Sequence, residues 1–267
     1  MITQKDIQKY ISKIPPTPKI VKKTLDYLSD GELTKAANCA KEDRALCIYL
    51  INLVNKPIYG FSNEVKDIVQ IFSILGINES MQVIYNYMLN ILSPKKWEFF
   101  NLNENLFHNL QSELSLSWTN ILEHLQIDDR EIQTSITLLP ASVIVSEALF
   151  ASHKEDVELI RSTKNIDLNK ILKSLSGYSL FEICLLISKK WEMPASVGKI
   201  VLLSSGEKIT EDDTKSLMLG KWMHLLLFFT LSKPAYIEAN LNDFLEFNIE
   251  FVEDVYEEFL QVMEIES

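Results

Sequence analysis

Apolar side chains recur at steps of three and four residues almost from end to end of this chain, and that spacing commits it to helices. Ile7, Ile11 and Ile14 share one face of a short first helix. Pro15, Pro16 and Pro18 break it, and Thr17 is placed to cap the next, with Pro18 at a first position where no N–H bond is lost. Val21, Leu25 and Leu28 line that helix, and Gly31 is placed to end it. A small-residue helix follows through Ala36, Ala37 and Ala40. Leu46, Leu50, Leu53 and Val54 form the next stripe, stopped at Asn55-Lys56-Pro57. Ile68, Phe72 and Leu75 mark another, ended by Gly76, and Asn78 is read as the cap of a helix carrying Ile84, Met88 and Ile91.

The second half continues the pattern. Leu106 through Leu125 suits one long helix, and Asp128 is placed to cap the next, through Ile132, Ile136 and Leu139. Pro140 lies inside that apolar run and should kink or restart the helix, because it lacks the N–H and crowds the preceding turn. Further helices are expected at 157–162, 168–175, 180–191, 196–203 and 214–231. Leu241 to Ile265 reads as one amphipathic helix with an acidic outer face, its stripe being Leu245, Ile249, Val252, Val255 (or Tyr256), Phe259 and Val262. Val143-Ile144-Val145 is the best strand-like run, and its helical neighbours outweigh it. Glycine, at 7 of 267 residues, is too scarce for a β-protein built on tight turns. The fold class expected is therefore all-α, a multi-helix bundle.

The net charge of −11 is unevenly spread. Residues 1–100 hold 13 Lys/Arg against 10 Asp/Glu, and residues 101–233 hold 13 against 17. Residues 234–267 hold 10 acids and no Lys or Arg. A near-neutral body thus carries an acidic tail. The tail argues against nucleic-acid binding, and the body offers nothing in its favour. The tail is expected to pack its apolar stripe on the domain with its charges outward, either simply as a solvated helix face or, on a sharper reading, as a docking face for a basic partner. The polar N-terminus shows no signal core, and the stretch read as the longest apolar one, Leu217–Leu231, is interrupted by Lys221 and His224 and falls short of the ~20 residues a membrane span needs. Cys39, Cys47 and Cys184 lack CxxC spacing and read as small apolar residues in a reducing cytoplasm.

Chemistry is harder to find. No phosphate loop, nucleophile elbow or HExxH occurs. His108, His124, His153 and His224 are far apart, and His224, beside Leu225 and Leu226, reads as a satisfied core histidine. The carboxylate pairs Asp128-Asp129, Glu155-Asp156 and Asp212-Asp213 sit at expected helix starts, where negative charge meets the helix dipole. No cofactor, metal or catalytic residue is assigned from these patterns.

Four segments, in order over about 63 residues, resemble the HDOD family, the HD-related output domains of bacterial signalling proteins. Ile14-Pro15-Pro16-Thr17-Pro18 resembles that family's LPPLP, and Ala40 through Leu46, with Asp43, its xxDPAL. Leu50 through Asn55 to Tyr59-Gly60 resembles LLRLANSAYYG, and Ile68 through Leu75-Gly76 resembles SIxxAIxxLG. Leu138-Leu139-Pro140-Ala141-Ser142 resembles LLHDIG, Trp191-Glu192-Met193-Pro194 resembles WGLP, and His108 falls where HSL is common.

The resemblance covers 14–205, with an N-terminal helical half (14–100) packed on an HD-like half (101–205), and leaves 206–267 as an extension. It implies that Pro140 and Ala141 stand where HD phosphohydrolases keep a metal-binding His-Asp pair. It therefore implies a non-catalytic regulatory module of two-component, cyclic-dinucleotide or motility pathways. Such a module acts in the cytoplasm by contact with signalling proteins, without nucleic acid or membrane insertion. The alternatives are a phosphohydrolase with ligands reassigned to His108, His153 and nearby acids, and a nucleotide sensor without hydrolysis.

Overall fold

The computed structural model describes residues 2–56, 60–164, 166–207 and 213–264. Sixteen α-helices and two short 3₁₀ segments account for the regular structure there, and no strand occurs among the described residues. Val143-Ile144-Val145 is helical. The chain forms two compact units: Pro15–Leu92, and Met1–Ile14 together with Ser93–Ser267. The first holds eight Lys/Arg and eight Asp/Glu, so the whole surplus of −11 belongs to the second.

In the unit Pro15–Leu92, α2 (Lys19–Ser29) packs on α3 (Leu33–Ala40), and both pack on α5 (Ile68–Leu92), as does α4 (Arg44–Val54). Val21, Leu28, Ala36, Ala37, Ala40, Leu46, Leu50, Val54, Ile71 and Phe72 are fully buried and form its core. Pro18, rather than Thr17, is the N-cap of α2, so the helix starts one residue later than the sequence suggests. Asp43 caps α4, its Oδ1 accepting the N–H groups of Ala45 and Leu46 at 2.9 and 3.0 Å. The two helices expected around Gly76 run as one element, broken at Gly76 itself (φ 70°, ψ −177°). That conformation belongs to glycine, and the helix restarts before Asn78.

The second unit begins with α1 (Gln4–Lys13), which packs on α11 (Leu180–Lys190). Its middle is α8 (Leu139–Phe150), α11, α12 (Ala195–Leu203) and α13 (Thr214–Leu231), stacked in succession, with α6 (Glu104–His124) against α13. The stack is tight: at Gly220 a Cβ would stand 2.7 Å from that of Leu203, so only glycine lets α13 approach α12 this closely. Asp129, not Asp128, caps α7 (Arg130–Ser135), accepting from Glu131 and Ile132. A 3₁₀ turn at Ile136–Leu138 then hands over to α8, with Pro140 in the first turn where its missing N–H costs nothing. Asp213 caps α13; Asp212 lies outside the described residues. α9 (Lys154–Lys164) and α10 (Leu168–Ser176) complete this part of the unit.

The tail is not one helix. After α14 (Pro234–Glu238), residues 241–248 turn over the body and only α15 (Ile249–Val252) and α16 (Tyr256–Val262) are helical. Asn248 caps α15 by accepting the Phe251 N–H, and Val255 (φ −120°, ψ −2°) breaks the run before α16. Leu241, Phe244, Leu245, Val252, Val255, Phe259 and Leu260 are buried, whereas Ile249 is exposed. Packing of individual side chains thus overrides the single periodic stripe. The tail acids face outward, yet three of them meet cations of the same unit, Asp243 with Arg161, Glu246 with Lys170 and Asp254 with Lys221, and Glu258 bonds the His124 ring. Exposed pairs of this kind contribute about 0–1 kcal/mol each.

Ile68–Leu92 and the run Arg130–Thr163 are long and apolar enough to cross a membrane, so Leu217–Leu231 is not the longest apolar stretch. In the protein the first is broken at Gly76, and 89% of the second's apolar window is buried inside the fold.

Candidate functional site

Pro140 and Ala141 lie on the most enclosed helix of the chain. Eleven of the twelve residues of α8 are buried, all but Ala148. Around Pro140 and Ala141 stand Leu138, Leu139, Val143, Ile144 and Val145, each no more than about one per cent exposed. The hydroxyls there turn inward on the helix, Ser142 donating to the Leu139 carbonyl and Ser146 to that of Ser142. The side chains of proline and alanine offer no ligand atom, and the neighbouring Ser142 and Ser146 hydroxyls donate to the helix backbone.

The histidines do not fill the gap. His108 is half-buried on α6, and His153 ends the 3₁₀ segment after α8. Among the described residues, no three His, Cys, Asp or Glu side chains come together in a way that could hold a metal. The arrangement His108, His153 and nearby acids is therefore not assembled. His124 pairs with Glu258 at the surface. Cys39 and Cys184 are buried, Cys47 is half-buried, and all are free thiols.

The remaining motif residues shape backbone rather than converge on a reactive centre. Pro15 and Pro16 are exposed and lead into α2 behind the half-buried Pro18. Asn55 ends α4 and clamps a loop: its Nδ2 donates to the carbonyls of Ile51 (2.8 Å) and Val65 (2.9 Å), and its Oδ1 accepts the Val65 N–H (2.8 Å). Gly60, in the same loop, has φ 67°; Tyr59, like Pro57, lies outside the described residues. Leu46 and Leu75 are core residues. Trp191 is buried at the C-terminus of α11, and Pro194 is the N-cap of α12.

Two features escape the sequence patterns. Glu147, on α8, is two per cent exposed, and its carboxylate accepts the backbone N–H groups of Glu98, Phe99 and Phe100 at 2.5–3.1 Å. This buried charge fixes the segment entering the second unit, where Phe99 also packs at a tilt against Phe150 (5.2 Å) and Trp97 against Phe107 (5.2 Å). The other feature is a cleft of about 300 Å³ in the same unit, between the start of α10, the turn after α12 and the tail. Asp167, Asn169, Lys170, Glu207, Glu246 and Asn248 supply its polar wall. Burial raises the Asp167 carboxyl above its usual value, and the N–H of Lys170 offsets part of that. Behind the cleft, burial lowers the His224 imidazole, while its bond to the Ser204 carbonyl acts the other way. Only local three-dimensional proximity reveals either feature; no spacing in the sequence signals them.

The fold has known counterparts. An HDOD domain protein of unknown function from Geobacter sulfurreducens is similar over 98% of this chain and 96% of its own, at 13% identity and a TM-score of 0.66. A candidate phosphohydrolase from Shewanella amazonensis SB2B is similar over 97% and 96%, at 17% identity and a TM-score of 0.63. At such identities the likeness speaks for the fold alone. No curated protein matches the chain. The family model for the HDOD domain matches residues 14–205, nearly three quarters of the sequence, and the chain belongs to the HDOD domain family.

Proposed function

We propose that this protein is a non-catalytic regulatory domain that works in the bacterial cytoplasm through contacts with signalling proteins. The observation that carries the reading is the packing of α8. The position that the resemblance matches to a metal-binding His-Asp pair is Pro140-Ala141, enclosed on a buried helix whose neighbouring hydroxyls, Ser142 and Ser146, bond their own backbone. A catalytic metal needs several anionic or imidazole ligands and a position open to water and substrate. This helix supplies neither. What the fold offers instead is helical surface on two compact units.

The test is affinity capture of the tagged full-length chain from its native cells, followed by calorimetry with each captured protein after purification. The reading expects at least one signalling protein to bind the purified chain saturably, with no phosphoester consumed. It fails if no captured protein binds in the purified system. Saturable binding of a cyclic dinucleotide or guanosine tetraphosphate, without a protein partner, would instead favour nucleotide sensing.

A further inference from the structure

The tail meets the body at several points, and one of them is an imidazole. His224, on α13, is fully buried. Its Nδ1 lies 3.0 Å from the Ser204 carbonyl oxygen, so Nδ1 carries the proton. Nε2 is then the acceptor, and the backbone N–H of Asn248 donates to it at 3.4 Å. Asn248 reinforces the junction through Nδ2, which donates to the Gly206 carbonyl at 2.8 Å. Gly206 (φ +75°) lies so close to the ring that a Cβ would stand 2.6 Å from its Cε1. Phe247 and Phe251 flank the imidazole with centroids at 6.4 and 5.6 Å. Gly206 and Asn248 are also walls of the 300 Å³ cleft. His224 therefore pins the stretch 245–248 along the rim of that cleft.

The pin depends on one protonation state. An imidazolium has two donors and no acceptor, so Nε2–H would confront the Asn248 N–H, donor against donor. The new charge would also lie among aromatic rings without a counter-ion. Charged groups stand on every side of the elements packed around it: Lys221 on α13 itself, Lys199 on α12, Glu113 and Glu123 on α6, Glu250 on α15, Glu257 and Glu258 on α16, and Asp167, Glu207, Glu246 and Asp254 along the cleft and tail. Lys221 is bonded to Asp254, Glu207 to Lys173 and Glu246 to Lys170. None of these acts on His224 appreciably; burial and the Ser204 bond do.

We infer that His224 is an acid-sensitive latch: a proton taken up from solvent at Nε2 releases the Asn248 N–H, frees residues 245–248 and opens the cleft while the rest of the unit stays folded. The sign follows from linkage. The closed state disfavours the charged ring, so the released state takes the proton first, and opening grows as pH falls below about 6.5.

Hydrogen exchange of the full chain at pH 7.5, 6.5 and 5.5, corrected for intrinsic rates, reads this directly. Between pH 7.5 and 5.5 exchange over 241–252 should accelerate by up to about tenfold, the ceiling set by a released imidazole that titrates near 6.5. Peptides from α8 and α11 should stay protected. Unchanged exchange over 241–252, or loss of protection everywhere at once, would overturn the latch. In His224→Gln the acid response should vanish, and its persistence would assign the opening to another group. Should that variant not fold, the Cε1 proton of His224 in the unmodified protein decides by NMR titration. Its midpoint must coincide with that of the exchange change, and a different midpoint would overturn the proposal.

Discussion

Replacing Glu147 by glutamine removes one oxygen and one charge from a site with little tolerance for either. The carboxylate takes three consecutive backbone N–H groups through four contacts of 2.5–3.1 Å, at two per cent exposure. A glutamine can keep its oxygen toward Glu98 and Phe99, but its NH₂ then faces the Phe100 N–H. At least one buried donor is left unpaired, which costs about 1–3 kcal/mol, and the surviving bonds lose their charge assistance, about 1 kcal/mol more. The expected total is about 3 kcal/mol. Glu147→Ala, which strands all three N–H groups and leaves a void on α8, should cost about 4 kcal/mol. All four tryptophans, Trp97, Trp118, Trp191 and Trp222, belong to the unit that Glu147 holds. Urea unfolding followed by tryptophan fluorescence therefore isolates the effect. A change within about 0.5 kcal/mol for both variants, the range of an ordinary surface substitution, would refute the reasoning.

Other variants probe the remaining steps. Asn55→Ala loses two donated bonds and one accepted bond and should destabilise Pro15–Leu92 by about 2 kcal/mol, read by far-UV circular dichroism during unfolding. Asn55→Asp keeps the acceptor but sets a carboxylate oxygen against the Ile51 and Val65 carbonyls, so it should be no better than alanine. Gly220→Ala gains up to about 1 kcal/mol of helix propensity but forces α12 and α13 apart at Leu203, so a net loss of about 1–2 kcal/mol is expected in the same fluorescence assay. Asp213 is held below the usual carboxylate range, chiefly by the Ser216 hydroxyl and N–H and then by Lys199. Its contribution is present above the unfolded value, near 3.8, and fades as pH falls through the lower folded one. Asp213→Asn should therefore flatten the acid limb of the stability curve below about pH 4.

Helix content was legible because most helices bury one stripe and expose the other face, and the apolar spacing records that directly. α8 was legible as helix although buried on nearly every side, because Pro140 suits a first turn. Boundaries slipped where two residues compete for a cap, as with Asp128 and Asp129, or Thr17 and Pro18. The tail misled because its stripe is continuous in sequence, while Phe244 and Asn248 fix the backbone in a turn. The family motifs were visible because they are local: Asp43 with the helix it caps, Asn55 with a loop ten residues away. Glu147 was not, since its partners lie 47–49 residues distant and are backbone groups of any residue type; His224 was legible as a satisfied core histidine from its apolar neighbours, but not its partners 20 and 24 residues away. The cations that meet the acidic tail are likewise visible only in space.

The central claim is that the enclosed segment around Pro140-Ala141 serves packing rather than catalysis. Metal analysis of the purified full-length chain, coupled to a phosphoester hydrolysis assay in manganese, magnesium or zinc, tests it most directly. The account predicts no stoichiometric metal and no turnover above the rate in buffer. One equivalent of tightly bound metal, with turnover abolished in His108→Ala, would contradict it.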